Sequence, residues 1–226
     1  MKPRVSIVIP VVDEAGTITG CLTALGNCRD AGAELIVVDG GSSDATVERC
    51  AGLADRVLRA PRGRARQMNA GAQAARGDIV LFLHADTRLP DGALAAVEQA
   101  LTSGAAEWGR FDVCIAGRSR LFPLIAGLMN RRSRWSGIAT GDQAIFVRRD
   151  SFDAVGGFPD QPLMEDIELS RRLRRRSGPA CLRPPVITSG RRWERHGVWR
   201  TIVLMWRLRL LYWLGAPAER LAKAYR

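Results

Sequence analysis

The feature that most constrains the fold is an alternation of short apolar runs with segments of helical periodicity. The apolar runs, rich in Val, Ile and Leu, are residues 5–9, 35–38, 57–58 and 79–83. Apolar residues recur at helical spacing in residues 18–25, 65–72 and 94–101. Asp44 is predicted to cap a further helix that carries Cys50. Unbroken apolar runs are typical of strands buried on both faces. The pattern therefore predicts an α/β fold with a doubly wound, mostly parallel sheet flanked by helices.

The second half of the chain has a less regular, mixed pattern. Strands are predicted over residues 108–113 and 144–147, and helices over residues 121–130 and 166–175. The 226 residues are 46% hydrophobic and 25% charged, which is typical of a packed globular protein. With neither an internal repeat nor a low-complexity linker, the sequence predicts one domain over residues 1–226.

The net charge and the distribution of the cysteines restrict which binding partners and which cellular compartment are expected. The formal net charge of +11 indicates anionic partners, whether nucleotide phosphates, nucleic acid or an acidic lipid surface. Nearly all of the basic residues are arginines, so a compositional preference is an alternative explanation of the excess. The five cysteines are scattered, which disfavours both a disulfide framework and a zinc site. Residues 1–10 lack the pattern of a signal peptide, so we expect a cytoplasmic protein.

Polar side chains follow the first two predicted strands, at the edge where an α/β sheet binds its ligands. Pro10, Val12 and Glu14 follow the first strand, and Asp39 opens a Gly- and Ser-rich turn after the second. A carboxylate at Asp39 can accept hydrogen bonds from a uracil imide or from ribose hydroxyls. Asp39 alone is equally compatible with a turn residue. Because neither strand is followed by a GxGxxG motif, a nicotinamide dinucleotide fold is disfavoured.

The segment His84-Ala85-Asp86 follows the fourth apolar run. Alternation along a strand predicts that His84 and Asp86 lie on the same side. Mg²⁺ and Mn²⁺ prefer oxygen ligands and bridge to phosphate oxygens, so Asp86 is a candidate ligand of a diphosphate-bound cation. Taken alone, an Asp here is also typical of a turn.

A pair of adjacent carboxylates, Glu165 and Asp166, opens a basic helix a few residues after Gly156-Gly157-Phe158. A carboxylate held at a helix start can act as the general base that deprotonates an acceptor hydroxyl. Acidic residues in a first turn also stabilise the helix macrodipole, which is the purely structural alternative.

These motifs, in this order and across about residues 5–176, resemble those of family 2 glycosyltransferases. Members of that family have a proline and acidic residues after the first strand, an Asp-Gly-Ser-Ser-Asp-like turn after the second and a DxD motif after the fourth. A Gly-Gly-Phe motif and a Glu-Asp pair follow. The resemblance implies a GT-A fold and the inverting, metal-assisted transfer of a sugar from a nucleotide-sugar, in the first instance UDP-linked, with Mg²⁺ or Mn²⁺ as cofactor.

The resemblance also implies roles for individual residues. Asp39 is expected to contact the base, Asp86 to coordinate the metal, and Asp166 to be the catalytic base, with Glu165 as the second candidate. His84 departs from the family pattern, because it occupies the position of the first Asp of DxD. It is expected to hydrogen-bond the ribose or a phosphate instead.

A basic loop enters the helix predicted before the fourth strand. Arg62 and Arg64 are candidates for the diphosphate, since helix N-termini attract phosphate, and Arg66 and Asn69 are candidates to line the nucleotide pocket. A solvated basic face is the alternative for each of them.

Further site residues depend on the resemblance. Gly141, Asp142 and Gln143 begin a predicted strand on the acceptor side and are candidates for contacts to the acceptor or the sugar. His196 is one of two histidines in the chain. In several relatives a histidine beyond the Glu-Asp motif helps to hold the metal or the pyrophosphate. A structural histidine is the alternative.

The resemblance divides the chain into a nucleotide-binding half over residues 1–115, an acceptor and catalytic half over 116–197, and a C-terminal amphipathic helix over 198–226. Residues 198–214 are apolar but are interrupted by three arginines. A membrane-spanning helix needs about 20 mainly apolar residues, so this segment is expected not to cross a bilayer. It either lies in the interface at the inner face of the membrane, near a lipid-linked acceptor, or packs on the domain or on a second subunit.

Two other functions fit parts of the pattern. A sugar-phosphate nucleotidylyltransferase needs a basic, glycine-rich loop after the first strand, where this chain has Asp13 and Glu14. Acidic residues there would repel an incoming triphosphate. A non-catalytic basic module that binds nucleic acid or membrane would explain the charge but not the carboxylates at the strand ends. The transferase is therefore favoured, with no nucleic acid as partner.

Overall fold

The computed structural model describes residues 2–225 and has one eight-stranded sheet at its centre. The strands are β1 (Val5–Val11), β2 (Glu34–Asp39), β3 (Arg56–Arg59), β4 (Ile79–Phe82), β5 (Thr87–Arg88), β6 (Trp108–Ala116), β7 (Phe146–Arg148) and β8 (Ala180–Ser189). Their order across the sheet is β3-β2-β1-β4-β7-β6-β8-β5. The predicted α/β architecture, a central sheet flanked by helices, is confirmed.

Helices connect the strands and form the C-terminal part of the chain. They are α1 (Ile18–Ala24), α2 (Gly26–Asp30), α3 (Arg64–Ala74), α4 (Ala93–Thr102), α5 (Phe122–Ser136), α6 (Arg149–Ala154), α7 (Glu165–Arg174), α8 (Arg191–His196), α9 (Val198–Trp213) and α10 (Ala218–Tyr225). Short 3₁₀ turns are formed by Glu48–Cys50 and Gly141–Gln143.

The first four strands are parallel. Strands β1, β2 and β4 are buried on both faces, as their apolar sequences predict, whereas β3 at the edge of the sheet alternates between half-buried and exposed residues. Ile7 and Ile9 of β1 pack on one side of the sheet in a core with α1 and α4. Val8 points to the other side, where it packs in a core with Met68 of α3. Gly71 allows α3 to lie this close to the sheet, because a Cβ there would overlap the side chain of Val8.

Antiparallel pairing enters the sheet at β7, which lies between β4 and β6 and is antiparallel to both. Strand β8 pairs in parallel with β6, and β5 closes the edge antiparallel to β8. The register of β6 against β8 shifts between Phe111 and Val113. The strand predicted over 144–147 starts two residues later, since Gly141, Asp142 and Gln143 form a 3₁₀ turn and Ala144 has a left-handed φ of 47°.

The helix predicted after Asp44 is reduced to a turn. Asp44 does not cap a helix: its Oδ1 accepts from Thr46 N at 3.0 Å and its Oδ2 accepts from Ala15 N at 3.1 Å. A side chain that takes the backbone N–H two residues on competes with helix formation. Only a 3₁₀ turn, Glu48–Cys50, follows.

The C-terminal segment is two helices and not the single one predicted over 198–226. Gly215, with a left-handed φ of 90°, and Pro217 separate α9 from α10. Leu208 and Leu221, one from each helix, are buried in a cluster with Met164 at the start of α7. None of the helices in residues 2–225 is long and apolar enough to span a membrane.

Candidate active site

An open cleft of about 920 Å³ lies at the carboxyl ends of β1 and β4. Its walls come from the loops after these strands, the starts of α3 and α7, the turn at residues 140–142, the end of β8 with α8, and the C-terminal helices α9 and α10, with single residues of β6 and α5. Parallel strands direct the loops after their carboxyl ends to the same edge, which is why segments distant in the sequence meet here.

The cleft brings together most of the residues that the sequence predicts for the site. The predicted residues that line it are Pro10, Val12, Glu14, His84, Ala85, Asp86, Gly141, Asp142, Glu165, Asp166 and His196. Those that lie outside its walls are Asp39, Arg66, Asn69 and Gln143. Arg62 and Arg64 of the basic loop also line it.

Asp166 is held in a fixed orientation at the start of α7. Its Oδ2 accepts a hydrogen bond from Gly141 N at 2.8 Å, and its Oδ1 accepts from Ile167 N at 2.8 Å. Met164, the residue before the helix, has a left-handed φ of 64°. Such strain in a non-glycine residue persists only where the surrounding packing imposes it, and Met164 is buried against α9 and α10. The bend at Met164 places the carboxylate of Asp166 in the cleft wall.

Glu165 has a different environment from its neighbour. The residue is 3% exposed, and its Oε1 lies 3.7 Å from Arg64 Nη1. Burial, followed by the negative charge of Asp166, raises the pKa of Glu165, while the positive charge of Arg64 opposes the shift. Of the two carboxylates, the half-buried and doubly hydrogen-bonded Asp166 is the better placed for a proton transfer in the cleft.

His84 packs against the turn that orients Asp166. Its Nδ1 lies 3.4 Å from Asp142 Oδ1. A Cβ added to Gly141 would lie 2.6 Å from His84 Nε2, so the glycine lets the imidazole approach the backbone. Partial burial acts to raise the pKa of Asp142, but the hydrogen bond and charge of His84 and the charge of Arg64 lower it overall. The side chains of His84, Asp142 and Arg64 form a polar wall beside Asp166.

Asp86 lies on another wall of the cleft, close to a single cation. Arg191 Nη2 is 3.8 Å from Asp86 Oδ2 and 3.5 Å from Glu14 Oε2. No group of three His, Cys, Asp or Glu side chains capable of holding a metal ion occurs in residues 2–225. His196 lines the same cleft on its exposed surface, at the end of α8. A lone carboxylate fits a cation such as Mg²⁺, which usually keeps water and substrate phosphate oxygens as its remaining ligands.

Asp39 is 1% exposed and its carboxylate is used by its own turn. Oδ2 accepts from Gly41 N at 3.1 Å, and Oδ1 accepts from Ser42 N at 3.0 Å and from Ser42 Oγ at 2.5 Å. Asp39 therefore shapes the loop beside the cleft. These are the contacts of a turn residue, which is the alternative that the sequence left open for Asp39.

Three further candidates make structural contacts. Asn69 holds the backbone of Phe158, donating to its O at 2.8 Å and accepting from its N at 3.0 Å. Arg66 forms a two-point ion pair with Asp160 on the surface, at 2.7 and 3.0 Å. Gln143 is fully buried, and its Oε1 accepts from Thr140 N at 3.2 Å. Asn69 and Arg66 are thus committed to partners outside the cleft, and Gln143 to the backbone of Thr140, which lines it.

Arg191 and Arg209 of the cleft wall were missed by sequence reasoning. Both lie beyond the motifs, in a part of the chain where arginine is frequent, so no local signal distinguishes them. Gln67, also missed, donates to Val11 O and Val38 O at 2.8 Å each. It thereby ties together the carboxyl ends of β1 and β2.

The fold and the position of the cleft define a class, the glycosyltransferases with a GT-A fold. TarS of S. aureus, solved with UDP-GlcNAc, superposes with a TM-score of 0.66 at 16% identity, over 82% of this chain and 58% of that one. The mannosyltransferase PcManGT of Pyrobaculum calidifontis, solved with GDP-Man and Mn²⁺, gives a TM-score of 0.62 at 22% identity, over 84% and 57%. Glucosyl-3-phosphoglycerate synthase of Mycobacterium tuberculosis, solved with Mg²⁺ and UDP, gives 0.61 at 20% identity, over 81% and 70%. At these identities the likeness establishes the fold.

The chain belongs to glycosyl transferase family 2, whose model matches residues 6–158. A PGL/p-HBAD biosynthesis glycosyltransferase of Mycobacterium tuberculosis (strain H37Rv) is 29% identical over 177 residues, covering 69% of this chain and 63% of that protein. An uncharacterized protein of Mycobacterium tuberculosis (strain CDC 1551) is 36% identical over 107 residues, covering 43% and 32%. The chain thus spans between about a third and just under two thirds of these relatives.

Proposed function

We propose that this protein transfers a sugar from a nucleotide-sugar, in the first instance UDP-linked, to an acceptor hydroxyl bound in the cleft. The observation that carries the proposal is the position of Asp166, a cleft carboxylate oriented by Gly141 N and Ile167 N at 2.8 Å each. The nucleotide-sugars and UDP in the solved relatives support a donor of this class.

In the proposed reaction, Asp166 accepts the proton of the acceptor hydroxyl as that oxygen attacks the anomeric carbon. The bond from the anomeric carbon to the diphosphate breaks, and the configuration is inverted. Both Asp166 oxygens already accept one backbone hydrogen bond, which fixes their direction and leaves a lone pair on each for the incoming proton. Glu165, paired with Arg64, is the second candidate for the base.

The donor end of the cleft is assigned to the loops after β1 and β4. Pro10, Val12 and Glu14 border the nucleotide, with His84 and Ala85 next to the ribose or the phosphates. Asp39 would contribute to the donor site indirectly, because its carboxylate holds the turn that lies beside the cleft.

Asp86 is the residue proposed to hold Mg²⁺ or Mn²⁺, with His196 as a second candidate. The cation would neutralise charge on the leaving diphosphate. The Mn²⁺ and Mg²⁺ in two of the solved relatives support this assignment.

A membrane surface is proposed as the place of action. Large apolar residues recur along one face of α9 at spacings of three and four residues, with exposed fractions between 56% and 82%; they are Trp199, Val203, Trp206, Leu210 and Trp213. Tryptophan side chains suit the headgroup depth of a bilayer, and the net charge of +11 suits anionic lipid. This contact would bring the cleft to a lipid-linked acceptor from the inner face of the membrane.

Calorimetry with UDP tests the donor site and the metal ligand together. We expect Mn²⁺ to strengthen UDP binding by about tenfold or more, because a cation held by Asp86 would neutralise charge on the diphosphate. In Asp86→Ala this gain should disappear while metal-free UDP binding persists. The variant Asp91→Ala, which removes an exposed carboxylate that does not line the cleft, is the matched control. Equal UDP affinity with and without Mn²⁺ in the unaltered protein would overturn the metal assignment.

A further inference from the structure

Two arginines near Asp166 have buried nitrogen atoms without hydrogen-bond partners. Within residues 2–225, Arg132 Nε and Nη2 and Arg209 Nε are enclosed and unpaired. Arg132 belongs to α5 and Arg209 to α9. A buried donor without a partner is costly, and a charged one more so, so such atoms need an explanation.

No carboxylate of the described chain forms an ion pair with either guanidinium. Burial, followed by the positive charge of Arg209, lowers the pKa of Arg132 to about 10. Burial also lowers the pKa of Arg209. An arginine stays protonated at neutral pH, so two positive charges lie together here. The negative charge of Asp166 acts on both of them, and that of Asp142 also acts on Arg209, but neither carboxylate forms an ion pair with them.

Arg209 borders the catalytic end of the cleft, and Arg132 on α5 is close enough for its charge to act on both Arg209 and Asp166. Arg209 lines the cleft with Asp166 and Asp142. Met129, about one turn before Arg132 on α5, lines it as well. The donor end, in contrast, is bordered by the loops after β1 and β4. Groups beside the base are on the side from which the acceptor hydroxyl must approach.

We propose that Arg132 and Arg209 form an anion site that binds a phosphate group of the acceptor. A phosphate offers several strong acceptor oxygens and up to two negative charges, which matches two guanidinium groups with three enclosed, unpaired nitrogen atoms. The planar guanidinium fork suits phosphate oxygens in particular. The inference rests on the proposed function only in assigning the phosphate to the acceptor; the anion site itself does not depend on turnover.

Inorganic phosphate is the direct probe of this site. We expect calorimetry to detect phosphate binding to the full chain, and Arg132→Gln and Arg209→Gln each to weaken it by about tenfold or more, the loss expected for charge-assisted hydrogen bonds. Arg131→Gln and Arg207→Gln, which change exposed arginines next to these positions on the same helices, should leave phosphate affinity within about twofold of the unaltered protein. Dimethyl phosphate distinguishes the sources: its binding at the same two arginines indicates a lipid-type diester, and binding of inorganic phosphate alone indicates a soluble monoester.

UDP affinity and thermal stability show whether the two substitutions act on the anion site alone. UDP affinity should change by less than about threefold in Arg132→Gln and Arg209→Gln, since the donor diphosphate is bound elsewhere. Thermal stability in phosphate-free buffer should be kept or raised, because each change removes an unpaired buried charge. If Arg132→Gln does not fold, Arg132→Lys, which keeps the charge and loses the fork, replaces it and is expected to weaken phosphate binding.

Phosphate affinity that is unchanged in both variants would overturn the anion site. A parallel loss of UDP affinity would overturn its assignment to the acceptor, because the pair would then belong to the donor diphosphate. If no nucleotide-sugar is turned over but phosphate binding still depends on the two arginines, the transferase proposal fails and the anion site stands.

Discussion

At the scale of single residues, the site depends on a glycine that serves two side chains. Gly141 N–H donates to Asp166 Oδ2, and the missing Cβ makes room for His84 Nε2. The position of the Gly141 backbone therefore sets both the direction of the Asp166 carboxylate and the position of the His84 imidazole. A side chain at this position would disturb two groups that the proposed reaction uses.

We therefore predict that Gly141→Ala lowers turnover by about tenfold or more, since small displacements of reacting groups are expensive. A methyl group 2.6 Å from His84 Nε2 forces the ring or the turn to move. Gly127→Ala is the control, because a Cβ there meets open space on α5. It should leave turnover unchanged and stabilise the helix by about 0.5–1 kcal/mol. Turnover of Gly141→Ala within about threefold of the unaltered enzyme would contradict this role.

Asn69 and Arg66 of α3 both make structural contacts, but they are expected to differ in how much they stabilise the fold. Asn69 makes two hydrogen bonds to the backbone of Phe158, whereas Arg66 makes an exposed ion pair with Asp160. We predict that Asn69→Ala lowers the free energy of unfolding by about 1–3 kcal/mol, because a backbone N–H and C=O lose their partners. Arg66→Ala, the matched change, should cost much less, because an exposed ion pair is screened by solvent.

Denaturant unfolding and UDP calorimetry on both variants check this prediction. UDP affinity is expected to stay within about threefold, because neither side chain lines the cleft. A folded Asn69→Ala protein of normal stability that fails to bind UDP would restore the nucleotide contact suggested by the sequence.

At the scale of elements, the strands could be predicted because each one is indicated by residues that are adjacent in the sequence. The apolar residues of β4 are consecutive, those of β1 are interrupted only by Ser6 and Pro10, and Glu165 and Asp166 open α7 where the sequence places them. The walls of the cleft were harder, because they depend on contacts between distant segments. Nothing near Arg209 in the sequence indicates that α9 folds back beside α7, and nothing near Gln143 indicates that its side chain turns inward.

The exposed face of α9 gives a prediction for this element. Replacing Trp199, Trp206 and Trp213 by Ser should abolish flotation with anionic vesicles, since the three side chains are 69%, 72% and 82% exposed and are the largest apolar side chains of the face. Binding of the unaltered protein should weaken with added salt, as expected for attraction to a charged surface. UDP affinity serves as the check that the triple variant is folded.

Vesicles of zwitterionic lipid are the lipid control and should bind the protein weakly. Indifference of the unaltered protein to anionic vesicles would contradict the membrane proposal. The face of α9 would then have to be covered by protein.

At the scale of the whole molecule, the walls of the cleft are formed by segments from both ends of the chain. The parallel strands supply the loops proposed for the donor, while α9 and α10 pack against Met164 and so support the start of α7. The C-terminal helices are therefore part of the framework of the cleft as well as of the exposed surface. Arg209, on α9, links the two roles, because it lies in the cleft wall on the same helix as the exposed tryptophans.

The most direct test of a carboxylate-catalysed sugar transfer in this cleft is the release of nucleoside diphosphate from a panel of nucleotide-sugars, measured for the unaltered protein and for Asp166→Asn. The substitution keeps the shape of the side chain and removes its basicity. We expect the unaltered protein to turn over at least one donor, and Asp166→Asn to bind UDP equally well yet turn over about a hundredfold or more slowly. Turnover within about threefold in a folded Asp166→Asn protein would contradict this role and transfer it to Glu165.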